Sequence, residues 1–599
     1  MTSALNYIPR PQVQMLEVNE AVKESLVEQG VQDFLVDILA RRISEPVNVD
    51  SIFSPSLKNL ADPSGIPSLD LAVERIVRAI CDREKIIFAC DHDMDGTASS
   101  AVLWKAFVDH FNFPAKNLEV VTSHRLTEGY GLTKPVVERI LSTDASLIIT
   151  ADKGSSDENQ IKFLRDAGRD VIVTDHHAIP IEGCPASAYA TVNPTRSDSL
   201  YDPHICGAAV AFLIMAKVRS ALLKEKIVDD IPSLISLLDY VAVATVADCV
   251  SLRPDKSYTN RVLVQKGLQL INQKSRPCWK IFLQDLNRPI TSEDISFQLA
   301  PPIAAAGRLD WAESGFLFLI SDSIQEARSH WDHLIKENMR RRQIEAEVRE
   351  KAMEKALQKS GQSIVVFIED GHSGVHGITA SRLVQTFGKP VGVFSPKPSS
   401  EPNDGAENLP RIASGSFRSV PGVHVRECLQ YVDDHHPGLL KGFGGHSGAA
   451  GATVLIEDIE QFALAFEEGV VKQIGNNPIR PIILFDGELP GNKLNLATVD
   501  LLLAIDPWGK DFPYPLFKGE FEVESFKRVG SGKHYRFVLG KDGVLINAIW
   551  FNANEKGQVD DMFYEGDKIT FVYKLADNWF RGRRSVQLLI EATDAAVHG

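Results

Sequence analysis

Between about residues 70 and 250, short apolar runs alternate with longer segments in which apolar residues recur at helical spacing. The apolar runs are KIIFACD, LEVVTS, ASLIITAD and DVIVTDHH, and helix-like segments such as GTASSAVLWKAFVDHF and DENQIKFLRDAG lie between them. This alternation predicts a mostly parallel sheet covered by helices. Functional side chains of such sheets lie just beyond the C-terminal strand ends, so we expect the chemistry there.

The pattern changes near Ser321. Residues 321–360 are helix-forming sequence with neither Gly nor Pro until the end, a length typical of a connector rather than of a globular helix. The strand-like SIVVFIED then opens a second α/β unit, residues 361–475, which contains the surface loop KPSSEPNDGAENLP.

The two ends of the chain differ from its middle. Residues 1–65 have a helical pattern, and residues 476–516 form a linker that ends in IDPWGKDFPYPLF. Residues 517–599 contain five short strand-like segments separated by Gly, Asp and Asn turns, which suits a small β-barrel such as an OB-fold. The predicted fold class is α/β: two α/β domains (66–320 and 361–475) joined by a long helix, plus a C-terminal OB-like β-barrel.

Composition narrows the class of protein only slightly. The 599 residues allow three or four domains, and 44% hydrophobic with 24% charged residues is ordinary for a globular protein. No run of about 18 apolar residues occurs, so no membrane span is expected. Seven scattered cysteines without a CxxC pair favour a reducing, cytoplasmic location. The net charge of −15 argues mildly against a nucleic-acid coat but leaves room for a local basic groove.

Four apolar, strand-like runs of the first α/β unit each end in acidic or histidine residues. These are Asp91, His92, Asp93 and Asp95 after KIIFAC, Asp152 after SLIITA, Asp175, His176 and His177 after VIVT, and Asp248 after YVAVATVA. One such Asp alone is usually a turn former or a helix cap. Four groups at one edge of a sheet repel one another unless a cation joins them. Carboxylates with neutral imidazole favour Mn²⁺ or Mg²⁺, and two ions about 3.5–4 Å apart are the usual clamp for phosphoryl displacement.

The triplet Asp-His-His occurs twice, at 175–177 and at 434–436. Only the first accompanies other acidic strand ends, and the second runs into Pro437-Gly438, which is a loop signal. We therefore expect 175–177 to belong to a metal centre and 434–436 to be a surface turn.

Several motifs carry a resemblance to a known family. DHDMDG, the Asp-bearing strand end ITAD, TDHH and VADC, in this order and at these intervals, resemble the DHH phosphoesterase superfamily. GRLD (307–310), SGVHGITASRL (373–383), ASGSFRS (413–419) and GFGGHSGAAG (442–451) narrow the resemblance to the RecJ family of single-strand-specific 5′→3′ DNA exonucleases. The resemblance covers about residues 65–599.

The resemblance implies a two-metal exonuclease, dependent on Mn²⁺ or Mg²⁺, that acts on single-stranded DNA in recombination and repair. The implied ligands are Asp93, Asp95, Asp152, His176 and Asp248, with Asp152 bridging the ions. Asp91 completes the first metal site or orients its water. His177 is expected to hold the scissile phosphate or a neighbouring carboxylate, and Asp175 to fix an imidazole tautomer. A monomer is implied, with possible contact to a single-strand-binding protein.

The second α/β domain supplies candidate substrate contacts. Glycines around His446 allow backbone N–H groups to approach a phosphate, although a tight structural loop would have the same composition. Arg308 and Arg382 are expected either to bind substrate or to form structural ion pairs. The candidates are Arg308, Arg382, Ser414, Ser416, Arg418, Ser419, Gly444, Gly445 and His446.

Two segments of the predicted barrel, GSGKHYRF and NWFRGRRS, combine rings and cations, as binding of a single strand without sequence readout requires. The candidates are Lys533, His534, Tyr535, Arg536, Trp579, Phe580, Arg581, Arg583 and Arg584. Trp550 and Phe551 are either surface or core residues, because alternation does not decide the exposed face. The basic run MRRRQ (339–343) either lines a channel or forms a solvated helix face.

Some positions depart from the pattern that the family usually shows. They are Lys153, Ser155, Pro302, Ala304, Gly371 and Ser373. The five implied ligands are intact, so hydrolysis is expected, while end polarity and substrate preference are less constrained. The alternatives are a DHH phosphodiesterase of short oligonucleotides or cyclic dinucleotides, and a catalytically idle single-strand-binding relative.

Overall fold

The computed structural model describes residues 11–309, 311–397, 411–475, 480–530, 532–553 and 563–593. The chain forms two compact units. The first contains residues 18–339 and 501–514, and the second contains residues 1–17, 340–500 and 515–599. Except for Lys397, the predicted loop KPSSEPNDGAENLP lies outside the described residues, as does Asp310 of the GRLD motif.

A five-stranded sheet forms the centre of the first unit. In chain order, the elements up to this sheet's last strand are β1 (Gln12–Met15), α1 (Glu20–Glu28), α2 (Asp33–Leu39), α3 (Asp50–Phe53), α4 (Leu69–Cys81), β2 (Ile86–Cys90), α5 (Met94–Lys105), β3 (Leu118–Thr122), α6 (Lys134–Leu141), β4 (Leu147–Ala151), α7 (Glu158–Asp166), β5 (Asp170–Thr174) and β6 (Ala190–Val192). The strand order is β3-β2-β4-β5-β6, and every pair is parallel. The four predicted strands and the parallel sheet are confirmed.

The elements that follow the sheet along the chain are helices joined by loops. They are α8 (Gly207–Lys224), α9 (Leu238–Ala247), α10 (Tyr258–Asn272), α11 (Pro277–Leu286), α12 (Ser292–Asp294), α13 (Ala300–Leu309), α14 (Glu313–Ile320) and α15 (Ile324–Ala356). The predicted connector is present as α15, a helix of 33 residues. All residues of β2 and β4 are buried, as expected for a parallel sheet covered on both faces.

The run YVAVATVADC is not the strand that its apolar sequence suggested. It forms most of α9, in which every residue from Leu238 to Val246 is buried. A helix buried on all sides shows no helical period, and a short apolar run is then indistinguishable from a strand. Asp248 therefore lies at the C-terminal end of a helix rather than at a strand end.

The second unit contains a mixed sheet. Its elements are β7 (Ile364–Phe367), α16 (His376–Phe387), β8 (Val391–Pro396), β9 (Ile412–Arg418), α17 (Val425–His435), β10 (Leu440–Gly445), β11 (Ala449–Leu455) and α18 (Ile459–Ile474). The strand order is β10-β11-β9-β8-β7, and only β7 and β8 are parallel. The remaining elements are β12 (Ile482–Phe485), α19 (Leu496–Leu503), β13 (Phe517–Val529), β14 (His534–Lys541), β15 (Val544–Trp550), β16 (Lys568–Phe580) and β17 (Arg583–Thr593).

Strands β13–β17 close into a barrel in the order β13-β14-β15-β17-β16, which confirms the predicted five-stranded barrel. Closure pairs every strand and leaves no sheet edge exposed. The predicted helical leader is wrong at residues 12–15, because β1 pairs in parallel with β12 and so takes its structure from a partner about 470 residues away. Helices α1, α2 and α3 agree with the rest of that prediction.

Arg261 of α10 is fully buried and holds three separate segments of the first unit together. Its guanidinium donates to the carbonyls of Leu252 (3.1 Å), Ile505 (2.8 Å) and Pro507 (3.0 Å), and more weakly to those of Ser51 and Ile52. Burial lowers the pKa of Arg261 to about 10. The carbonyls therefore compensate for the desolvation of a buried charge.

We expect Arg261→Met to lower the free energy of unfolding by about 3 kcal/mol or more, because several buried carbonyls lose their donors. Urea denaturation of the full chain measures the loss. Arg219→Met is the matched control, since among the described residues that guanidinium donates to the carbonyls of two neighbouring residues, Ile231 and Pro232. Equal losses for the two variants would show that Arg261 has no special role.

Candidate metal centre

The sequence DHDMDG turns directly from β2 into α5. Asp93 is the N-cap of α5, and its carboxylate accepts from the backbone N–H groups of Asp95 (2.9 Å) and Gly96 (3.1 Å). A Cβ at Gly96 would lie 2.4 Å from the carbonyl oxygen of Asp91, so only glycine permits so tight a turn. The turn therefore places Asp91, Asp93 and Asp95 together at the C-terminal end of β2.

Asp95 is buried and points at the N-terminus of a second helix. Its carboxylate oxygens accept from the backbone N–H groups of Gly207 (2.6 Å) and Ala208 (2.8 Å), which open α8. These N–H groups have no partner within their own helix and carry its positive dipole end. The contact fixes the carboxylate and partly compensates its charge.

Asp152 follows β4 in a left-handed backbone conformation, with φ +62°. A non-glycine residue rarely adopts this conformation, and such strain is typical of functional sites. A Cβ at Gly207 would lie 2.8 Å from the Cβ of Asp152, so the glycine lets α8 approach the strand end closely. Asp152 is 1% exposed and lies inside the acidic cluster.

His176 lies among three carboxylates that come from different elements. Its Nε2 is 3.1 Å from Asp152 Oδ1, 3.5 Å from Asp248 Oδ2 and 3.6 Å from Asp95 Oδ2. Three groups have ligand atoms close enough to share an ion: Asp91, Asp93 and Asp152; Asp95, His176 and Asp248; and Asp152, His176 and His177. Asp152 and His176 each belong to two of these groups, and Asp152 Oδ1 lies 3.1 Å from His176 Nε2.

The electrostatics of this cluster fit a divalent metal. Burial and neighbouring carboxylates raise the pKa of Asp152 and of Asp248 well above the usual range. Within the described part of the chain, the buried oxygen Asp152 Oδ1 accepts no hydrogen bond, and Asp91 Oδ1 has the ring nitrogen of His92 3.1 Å away. Carboxylate oxygens and imidazole nitrogen are ligands that Mn²⁺ accepts, and carboxylates also suit Mg²⁺.

Asp175 holds His177 rather than joining the ligand groups. Its Oδ1 lies 2.8 Å from His177 Nδ1, and it also accepts from the backbone N–H groups of His176 and His177. Burial alone would lower the pKa of His177, but Asp175 first, and then the charges of Asp248 and Asp91, raise it to about 9. His177 is therefore a cationic donor in the metal-free centre, with its ring orientation fixed by Asp175.

The sequence reasoning did not identify two other residues of this centre. The hydroxyl of Tyr130 donates to the carbonyl of Asp152 (3.3 Å) and lies 3.2 Å from His177 Nδ1. Arg125 Nη1 lies 3.4 Å from His92 Nε2, and His92 Nδ1 lies 3.1 Å from Asp91 Oδ1. Arg125 and Tyr130 both lie in the loop after β3. Of the four strands predicted for this sheet, β3 is the one that no acidic residue follows directly.

The second Asp-His-His triplet ends a helix and is not the predicted surface turn. Asp434 and His435 end helix α17, and His436 is its C-cap. His435 Nδ1 lies 2.9 Å from the carbonyl oxygen of Tyr431, and His436 Nε2 lies 2.9 Å from Glu468 Oε2. The triplet contributes to none of the potential metal-binding groups among the described residues.

Candidate substrate residues of the second unit occupy neighbouring strands. Ser414, Ser416 and Arg418 alternate along β9 with buried residues and so share its more open face. β9 pairs with β11, and the exposed β10–β11 hairpin carries Gly444, Gly445 and His446. The N–H of Ser419 donates to the carbonyl of Gly448 (3.0 Å), which joins the two motifs.

The other candidate substrate residues, Arg382 of the second unit and Arg308 of the first, differ in exposure. Arg382 is exposed on α16, and a Cβ at Gly377 of the same helix would lie 2.8 Å from Arg418 Nη2. Arg308 is half-buried near the end of α13. The basic run on α15 is divided, because Arg341 is buried while Arg340 and Arg342 are exposed. Among the departures from the family pattern, Pro302 is buried in α13 and is therefore no surface contact.

The structure corrects one candidate of the barrel. Tyr535 is 1% exposed and packs against Phe563 inside the barrel, so its ring cannot stack on a base. Its position on β14 points inward, whereas the neighbouring Arg536 points outward. The other barrel candidates of the sequence are accessible: Lys533, Arg536, Phe580, Arg581 and Arg583 are exposed, Trp579 is 39% exposed, and His534 and Arg584 are half-buried. Trp550 proves to be core and Phe551 surface.

Comparison with known proteins agrees with this arrangement. Three family models match the chain: the DHH family N-terminal domain at residues 85–245, the DHHA1 domain at 360–472 and the RecJ OB domain at 485–592. The single-stranded-DNA-specific exonuclease RecJ of Haemophilus influenzae is 33% identical over 92% of this chain and 94% of its own length. That of Dickeya dadantii is 34% identical over 90% and 92%. The chain belongs to the RecJ family.

Solved structures of the RecJ family share the fold. The Thermus thermophilus RecJ in complex with Mn²⁺ matches 98% of this chain and 80% of its own, with a TM-score of 0.77 at 23% identity. An exonuclease RecJ bound to manganese matches 68% of this chain and 95% of its own, with a TM-score of 0.55 at 26% identity. The expected family and fold class are therefore confirmed. Within the described ranges, none of the helices has the length and apolar character of a membrane span.

Metal binding should depend on pH through Asp95. Burial, and then the charge of Asp93, raise the pKa of Asp95 to about 7 in the metal-free protein. Below that pH the carboxyl of Asp95 must lose its proton before a cation binds, and above it the carboxylate is already deprotonated. We expect Mn²⁺ to bind about ten-fold more weakly at pH 6 than at pH 8.

Isothermal titration calorimetry in two buffers of different ionisation enthalpy measures both the affinity and the protons released. Proton release should be larger at pH 6 than at pH 8, because the carboxyl is protonated only at the lower pH. Equal affinity for Mn²⁺ at the two pH values, without proton release, would contradict the role of Asp95 as a ligand with a raised pKa.

Proposed function

We propose that this protein is a metal-dependent exonuclease that hydrolyses single-stranded DNA in the 5′→3′ direction, in DNA recombination and repair. The observation that carries the proposal is the buried cluster in which His176 Nε2 lies within 3.6 Å of Asp95, Asp152 and Asp248. Membership of the RecJ family, whose curated members are named as single-stranded-DNA-specific exonucleases, supports the substrate. The polarity rests on the family resemblance alone.

The residues divide into two ligand sets around Asp152. Asp91, Asp93 and Asp152 would hold one divalent ion, and Asp95, His176 and Asp248 would hold a second. Asp152 Oδ1, 3.1 Å from His176 Nε2, lies beside the second set as well. When bound, such a pair of ions lowers the pKa of a water and stabilises charge on the phosphate. His177, oriented by Asp175, is placed to donate to a phosphate oxygen at the same edge.

Binding of the strand would involve the second unit. Ser414, Ser416 and Arg418 on β9, together with the hairpin around His446, offer hydroxyl, guanidinium and backbone N–H donors for phosphate oxygens. On the barrel, the exposed Trp579 and Phe580 lie beside Arg581 and Arg583, which suits stacking of bases and neutralisation of a backbone.

The functional division of the chain is part of the proposal. We assign catalysis to residues 66–320, substrate binding to 361–475 and further strand binding to 517–599, in line with the family matches. The protein would act as a monomer that can contact a single-strand-binding protein. Its seven free cysteines suit the reducing interior of the cell.

The two Asp-His-His triplets provide a matched pair of variants. We expect His176→Ala and Asp152→Ala each to reduce Mn²⁺-dependent degradation of a labelled single strand by at least about 100-fold, because each removes a metal ligand. His435→Ala, the same change in the exposed triplet at the end of α17, should leave the rate unchanged.

Blocked ends separate the parts of this proposal. A strand blocked at its 5′ end should resist degradation, whereas one blocked at its 3′ end should be shortened. Degradation only from the 3′ end would overturn the polarity but not the chemistry. Binding of the strand in Mn²⁺ without any shortening would indicate an idle relative, and cleavage of dinucleotides alone would indicate a small-substrate phosphodiesterase.

The barrel makes a separate prediction. Trp579→Ala and Phe580→Ala should each weaken binding of a single strand by about 1–3 kcal/mol, the usual loss of one base-stacking ring. Leu545→Ala is the control, since Leu545 is an apolar barrel residue with an exposure of 64%, similar to the 65% of Phe580. Fluorescence anisotropy with the metal-free protein measures binding without cleavage, and unchanged affinity in both aromatic variants would exclude this surface.

A further inference from the structure

A buried amide joins two of the loops that carry the acidic cluster. Asn193 follows β6 directly and is completely inaccessible to solvent. Its Nδ2 donates both hydrogens, one to the carbonyl of His177 (2.9 Å) and one to the hydroxyl of Ser155 (3.0 Å). Because only the nitrogen end of an amide can donate to a carbonyl, these partners fix which way the side chain points. One residue thus ties the loop after β4 to the loop after β5.

The oxygen of the same amide is also paired. Asn193 Oδ1 accepts from the backbone N–H of Thr195 (2.8 Å), and the hydroxyl of Thr195 lies 2.8 Å from that oxygen and 2.9 Å from the carbonyl oxygen of His177. A buried amide whose donors and acceptor are all paired is held firmly, since any rotation would leave a buried polar group without a partner. The carbonyl of His177 is therefore fixed from the side of β6.

The same links reach the carboxylate that orients His177. The backbone N–H of Ser155 donates to Asp175 Oδ2 (3.0 Å), while Asp175 Oδ1 lies 2.8 Å from His177 Nδ1. These hydrogen bonds close a ring that runs from the amide of Asn193 through Ser155 and Asp175 to His177 and back. Ser155 and Asp175 are both buried, so water does not compete for the bonds between them, whereas the side chain of His177 is 34% exposed. The ring therefore fixes His177 from the inside and leaves its imidazole accessible.

We propose that Asn193 is a positioning residue of the hydrolysis, which holds the backbone and the imidazole of His177 in the orientation in which His177 donates to the phosphate. The inference rests on the proposed function, in which His177 is that donor. Its physical basis is preorganisation, because a donor that is already in place needs no reorientation when the transition state forms. Among the described residues, Asn193 belongs to none of the potential metal-binding groups, so it acts through His177.

The main test uses the full chain and a labelled single strand at saturating Mn²⁺, so that a change in metal affinity does not enter. Asn193→Leu removes both donors of the amide. We expect it to lower kcat about 10- to 100-fold and to leave KM for the strand unchanged, because the interaction that it disturbs acts in the transition state. A purely structural role would lower the melting temperature without separating kcat from KM.

A double-mutant cycle gives the second readout. In a His177→Ala background, Asn193→Leu should lower kcat by less than about two-fold further, because the group that it positions is gone. A residue that only supports the fold would cause the same loss in both backgrounds, and that result would overturn the inference.

Ser155→Ala is the milder variant, and it serves if Asn193→Leu does not fold. It removes one acceptor of the amide and should lower kcat about five-fold, again only while His177 is present. Ser292→Ala is the matched control, since Ser292 is also a buried serine of the first unit and its hydroxyl accepts from the backbone N–H of Trp508 (3.0 Å). It should lower the melting temperature and leave kcat unchanged. Equal losses of kcat in the two serine variants would overturn the inference, as would unchanged kcat in both Asn193→Leu and Ser155→Ala.

The same assays distinguish this inference from the proposed function. If the unaltered protein degrades no strand, the proposed function fails, and if His177→Ala leaves kcat unchanged, the role that the proposal gives to His177 fails. If His177→Ala lowers kcat and Asn193→Leu causes its full loss in both backgrounds, only the positioning role of Asn193 fails.

Discussion

Repulsion between buried carboxylates is the constraint on which the rest of this molecule depends. Asp91, Asp95 and Asp152 are nearly inaccessible, and burial together with their neighbours raises the pKa of Asp95 and Asp152. Such a cluster is unfavourable in an apolar core unless cations or oriented dipoles compensate it. The first unit supplies the dipoles through the N-termini of α5 and α8. Among the residues that the structure describes, it leaves the buried oxygen Asp152 Oδ1 without a hydrogen bond and so available to a metal.

The scaffold is adapted to bring these charges together. Gly96 allows the backbone to turn tightly beneath Asp91, and Gly207 allows α8 to approach Asp152, since a Cβ at either position would collide with its neighbour. The left-handed backbone of Asp152 adds local strain, which the strands on both sides of β4 support: β2 is fully buried, and β5 is buried except at Asp170. The candidate metal centre of this chain therefore depends on backbone geometry as well as on the ligand side chains.

Much of the candidate site could be predicted because its residues follow strands whose sequences are strongly apolar. The ends of β2, β4 and β5 were recognisable from periodicity, and parallel topology requires their C-terminal ends to meet at one edge. Asp248 was assigned to the same site, although its supporting element is a helix rather than a strand. Tyr130 and Arg125 were missed because they lie in a loop without a periodic pattern, and Tyr535 was misplaced because composition does not tell which face of a barrel strand is exposed.

The sequence by itself determined the parallel sheet, the long connecting helix, the five-stranded barrel and the identity of the acidic residues, because each depends on local periodicity or on a short motif. Only the tertiary structure decided that α9 is a helix, that β1 pairs with a strand about 470 residues away, and that Asn193 joins two loops of the candidate metal centre. Long-range pairing and burial depend on which elements pack together, and no local pattern in the chain records that choice. The same physics separates the two Asp-His-His triplets, since one lies among buried carboxylates and the other occupies accessible positions at the end of α17.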